Sequence, residues 1–159
     1  MFQFFSYILR HTFTNPGAVT LLQYQAGSAG PVELVSARLT QGSSATSAQI
    51  AANVVRKSAA ATVTTAVAGT HLLKVNPIAP TSNATLGTSG TGHTATVEGT
   101  DGEAPSSQGF NVLNGFIFEP TADARPVVPA SGLIALKALA SPPAATYYGE
   151  MVVRELRAS

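Results

Sequence analysis

The chain has 159 residues, of which 45% are hydrophobic and only 11% charged, with a formal net charge of +1 and no cysteine. This is the length of one domain, with enough apolar material to bury a core. The lack of cysteine excludes disulfides and thiolate metal sites, and the near-neutral charge argues against a general attraction to nucleic acid or to an anionic membrane.

Surface polarity falls mainly to Ser, Thr, Asn and Gln, and the β-branched residues and small turn formers favour strands over helices. Residues 1–17 open the chain with the aromatic run Phe2, Phe4, Phe5 and Tyr7. The run has neither the basic start nor the small-residue cleavage site of a secretory leader. No apolar run reaches the roughly 18–20 residues that cross a bilayer, so the expectation is a soluble chain. In extended conformation Phe2 and Phe4 share one face, and Phe5 and Tyr7 the other. The segment therefore reads as an N-terminal arm whose rings dock either on the chain's own sandwich or on a partner's sheet edge.

Period-two alternation then predicts about eight strands. Ala18 to Gln25 follows the turn former Asn15-Pro16-Gly17, and Val32 to Thr40 comes next. Ser47 to Lys57 is rich enough in alanine for a short helix, but its adjacent Val54 and Val55 favour a strand. Ala61 to Val67 and His71 to Val75 suggest a hairpin around Ala68-Gly69-Thr70. Residues 76–108, crowded with Gly, Pro, Ser and Thr, read as one long irregular excursion in which only His93 to Glu98 has strand-like content. Phe110 to Glu119, Leu133 to Leu139 and Thr146 to Leu156 complete the series as the most regular segments. The fold class expected is all-β, a single domain over 1–159 built as a two-sheet antiparallel β-sandwich.

Charge is unevenly spread. No Lys or Arg lies between Lys74 and Arg125, yet Glu98, Asp101, Glu103, Glu119 and Asp123 all do. Glu98, Asp101 and Glu103 cluster within the excursion, where solvation of a loop, low-affinity cation binding and contact with a partner are open readings, solvation being favoured over the cation. His11, His71 and His93 share no metal-ligand spacing, and nucleophile-elbow, Walker and dinucleotide motifs are absent. From the sequence we expect no metal, no cofactor and no catalytic residues.

The segment Phe110-Asn111-Val112-Leu113-Asn114-Gly115-Phe116, leading to Phe118-Glu119-Pro120, is followed by Arg125-Pro126, Pro129 and a final strand from Tyr147 to Leu156. With the strand rhythm and small polar surface, this pattern resembles the jelly-roll decoration, or cement, proteins on the heads of tailed bacteriophages. The resemblance implies a homotrimer, made in the host cytoplasm, that binds the outside of an assembled capsid and bridges major capsid protein subunits, with no direct contact to nucleic acid or membrane. Phe2, Phe4, Phe5, Tyr7, Glu98, Asp101 and Glu103 are the candidate partner contacts. A carbohydrate- or receptor-binding sandwich is the alternative, weakened by the absence of Trp.

Overall fold

The computed structural model describes residues 2–43 and 46–158; of Phe2 and Ala158 only the backbone is described. The expected two-sheet antiparallel β-sandwich is what the chain forms, with thirteen strands among the described residues. One sheet contains β1 (Phe2–Thr14), β3 (Val32–Gln41), β6 (Leu72–Lys74), β10 (Phe116–Phe118), β11 (Val127–Val128) and β13 (Thr146–Ala158). Its order is β10-β3-β13-β1-β6, with β11 also on β3.

The other sheet contains β2 (Thr20–Gln25), β4 (Gln49–Ala59), β5 (Thr62–Thr65), β7 (Gly92–Val97), β8 (Thr100–Asp101), β9 (Ser106–Asn111) and β12 (Leu133–Ala138). Its order is β5-β7-β2-β12-β4-β8, with β9 also on β4. The chain passes repeatedly from one sheet to the other, so neighbours in a sheet are seldom neighbours in sequence.

The N-terminal arm takes the first of its two readings and packs on the chain's own sandwich. Residues Phe2–Thr14 are a strand inside the first sheet, paired along its whole length with β13, from Phe2 opposite Ala158 to Thr14 opposite Thr146. Alternation sends Tyr7, Leu9 and Phe13 into the core, where they meet Leu22, Leu34, Leu39, Leu136, Tyr147, Met151 and Val153. Each large apolar side chain removed from water in this way contributes roughly 1.5–3 kcal/mol.

Two predicted segments are split between the sheets. β5 pairs with β7 and β6 with β1, so the expected hairpin does not form. The turn between them, with Gly69 at φ 81°, carries the chain across the sandwich instead. Similarly, Phe110 to Glu119 is not one strand. A turn closed by amides of Asn114 and Gly115 donating to the Asn111 carbonyl, with Gly115 at φ 76°, sends β9 and β10 to opposite sheets. Phe110 and Phe116 then face each other across the interior, with ring centroids 5.7 Å apart.

The excursion is also more ordered than its composition suggests. It contains β7, as expected, but also β8 and the first half of β9. Its irregular part is fastened to the core by Glu155, which is buried between the sheets. The Glu155 carboxylate accepts from Tyr24 Oη (2.6 Å), from the Ser82 hydroxyl and from the Asn83 amide (2.9 and 3.0 Å). Arg157 pairs with it and donates onward to the Thr81 carbonyl, while Tyr7 Oη donates to the Pro80 carbonyl. Burial, and then the nearby Glu155 charge, raise the Tyr24 pKa well above the usual phenol range. The loop backbone approaches so closely that a Cβ on Gly27 would lie 1.9 Å from the Asn83 carbonyl oxygen.

Two outcomes follow. Replacing Glu155 with Ala leaves the half-buried Arg157 without its counterion and three donors around the vacated carboxylate unsatisfied, so urea unfolding shows a loss of about 3 kcal/mol and the Asn83 amide loses its protection from hydrogen exchange. Deleting residues 2–14 removes an inner strand, and near-ultraviolet circular dichroism then reports no fixed tertiary packing.

Candidate functional site

The N-terminal rings divide as their alternation predicts. Tyr7 is fully buried, Phe5 packs half-buried against the core, and Phe4 points outward, 59% exposed, beneath the Arg154 guanidinium at 4.5 Å. The Phe2 side chain lies outside the described residues. Among the described rings of this run, then, Phe4 is the exposed one, and Phe5 and Tyr7 serve the chain's own interior.

The acidic residues are engaged within the fold. Lys57, on β4, has a wholly buried side chain whose ammonium reaches Asp101 Oδ1 at 2.7 Å and Glu98 Oε2 at 3.2 Å. Lys137, on β12, adds a second bond to Asp101 at 2.6 Å. Glu98 also accepts from the Thr20 amide and hydroxyl, and Glu103 pairs with Arg56 at 2.9 Å. Burial opposes ionisation of Glu98, but the Thr20 bonds and Lys57 outweigh it and hold its pKa below the usual carboxylate range. For Asp101 burial is likewise outweighed, by Lys137 and Lys57. The uneven charge along the sequence is thus cross-strand pairing, with acids of the excursion meeting bases of β4 and β12.

The arrangement that spacing along the chain conceals is a histidine cluster. His11, His71 and His93 converge, with one candidate ligand nitrogen from each lying within 4.8 Å of the others. His11 is the next inward position of β1 after Tyr7 and Leu9. His71 immediately precedes β6, where its carbonyl accepts from the Arg10 amide at 2.8 Å and so extends the β6–β1 ladder. His93 comes from the other sheet, opposite Leu22 of β2 and Thr64 of β5.

Thr94, at φ 51°, is the extra residue where the β5–β7 register shifts, and this bulge re-aims the strand beside His93. The His11 and His93 rings stack at 3.5 Å and 12°, with His71 tilted against both and Phe13 edge-on to His11. A cleft lined by Arg10, His11, Thr12, Thr70, His71, Tyr148 and Glu150 opens beside them.

Burial and close packing disfavour the charged form of two of these imidazoles. Burial first, then the proximity of His11 and His71, pushes the His93 pKa down to about 4; burial and then His71 lower that of His11. His93 Nδ1 lies 3.3 Å from Thr94 Oγ1, while its buried Nε2 has no hydrogen-bond partner in the structure. His71 Nδ1 accepts from the Val67 amide at 3.1 Å. The sequence offered one signal for this site that motif spacing missed: His11 falls on the inward parity of β1, an unusual place for an imidazole among Tyr, Leu and Phe.

Because the folded-state pKa values of His93 and His11 lie below 6.5, their contribution to stability is complete above about pH 6.5 and is lost as pH falls toward the folded values. For His93 alone the loss is on the order of 3 kcal/mol. Glu98 and Asp101, whose pKa values are also lowered, add a further loss only below about pH 4.5. Urea midpoints measured from about pH 7.5 down to about pH 4.5 should therefore fall, and His93→Gln should flatten the profile; a constant midpoint in the wild type contradicts this account.

Comparison of the chain with protein-family models, with curated proteins and with solved structures finds no match.

Proposed function

We propose that this chain is a structural coat subunit, a decoration protein on the exterior of a tailed-bacteriophage capsid, acting as a homotrimer that bridges major capsid protein subunits. It works by binding rather than by catalysis, and it contacts neither nucleic acid nor membrane. The observation that carries this reading is the outward face of the first sheet. Strand register places Phe4, Ile117, Val127 and Tyr148 there together, each about half exposed or more.

Ile8 and Val152 lie opposite each other on the same face, and Leu73 is opposite Ile8. Its charges are largely neutralised in place, Arg154 with Glu33 and Arg38 with Glu119. A sheet face that shows apolar side chains among self-paired charges is suited to protein contact, since little uncompensated charge must be desolvated. The sandwich behind it is held by its own core and supplies a rigid platform. A subunit binding only the assembled lattice stabilises that state by mass action, and many copies multiply the effect.

The test is direct. Purified chain should have a mass near three times 16.2 kDa by light scattering and should co-sediment with the undecorated heads of its source virus. The double substitution Phe4→Ser with Val127→Ser should retain the circular dichroism spectrum and lower head occupancy at least about tenfold. A monomer that never associates with particles overturns the proposal.

A further inference from the structure

We propose that His11, His71 and His93 bind one divalent transition-metal ion of the zinc class, and that this ion clips β1 and β6 of the first sheet to β7 of the second. The donor set is three imidazoles, which suits zinc, copper or nickel and not the hard cations that require oxygen ligands. The site draws on both sheets: His11 on β1 and His71 at the start of β6 belong to the first, and His93 on β7 to the second.

Two observations independent of proximity point to a ligand. The first is His93, only 7% exposed, whose Nε2 is buried without a partner. Burying an unsatisfied ring nitrogen is costly. The Thr94 hydroxyl is positioned to accept from Nδ1–H, which leaves the lone pair on Nε2; a bond of this kind on the far nitrogen fixes the tautomer and orientation of a ligating histidine. The second is the cleft lined by His11 and His71, which gives those two rings room to turn and lets water reach their side of the cluster.

Zinc–nitrogen bonds of about 2.0–2.1 Å in a tetrahedral shell place ligand nitrogens roughly 3.3 Å apart. The present spread of up to 4.8 Å must therefore contract. His11 and His71 are only half-buried and can turn, whereas His93 is the fixed member. Ligation through His71 Nε2 moves that ring's proton to Nδ1 and releases the Val67 amide, which sits on an exposed residue where water replaces the bond.

The experiment uses the full chain, stripped with chelator and titrated with Co2+ alone. One ion per chain should bind and give the visible absorption of four-coordinate cobalt, Zn2+ should displace it, and the Val67 amide resonance should shift. At a hundredfold excess over Kd, Zn2+ should raise Tm by about 5–10 °C. His11→Gln and His71→Gln, both at half-buried positions, should keep the far-ultraviolet spectrum and lose at least about tenfold in Co2+ affinity. Wild-type chain that binds no Co2+, or variants that bind it as tightly as wild type, overturn the proposal.

Discussion

The thirteen-residue ladder between the two ends of the chain, β1 against β13, is the constraint on which the other features rest. It places β1 and β13 side by side in the interior of one sheet, so the sandwich is complete only when both strands are present. It also sets parity. Once Tyr7 faces Val153, every second residue from Phe5 to Phe13 turns toward the core, and His11 is carried to the inter-sheet space by the same alternation that buries Leu9 and Phe13. Pairing this distant in sequence costs loop-closure entropy before it is rewarded, which predicts slow, cooperative folding.

Three polar groups are held in the interior by different means. Glu155 is stabilised by Arg157 and by donors from the excursion, so its charge organises a segment with little apolar material of its own. Lys57 is buried but neutralised by Glu98 and Asp101. His93 shares its environment with two other imidazoles, and among the causes that shift it there is no carboxylate. The first two are satisfied ion pairs, which fix geometry more than they add stability. The third retains an unused lone pair, and that distinguishes a binding site from a structural contact.

The outward sheet face and the histidine edge divide the molecule's chemistry. The face around Phe4, Ile117, Val127 and Tyr148 is suited to extended protein contact. The edge at His11, His71 and His93 bears on how firmly the two sheets are held. A clip at that edge would stiffen the platform from which the face is presented, so the two proposals are compatible while resting on separate residues.

The sequence alone determined the fold class, because alternation of apolar residues is a local property that survives any tertiary arrangement: it located β2, β3, β4, β7, β12 and β13 and sorted Phe4 from Phe5 and Tyr7. It did not determine which strands share a sheet. The splitting of β5 from β6 and of β9 from β10 depends on left-handed glycines at 69 and 115, whose turns read equally well as hairpins or as crossings. Pairing of the excursion's acids with Lys57, Lys137 and Arg56 was likewise hidden, since those partners lie on strands distant in sequence. The histidine cluster was the least legible feature: three residues at 11, 71 and 93 have no common period, and only the packing of one sheet over the other brings their rings together.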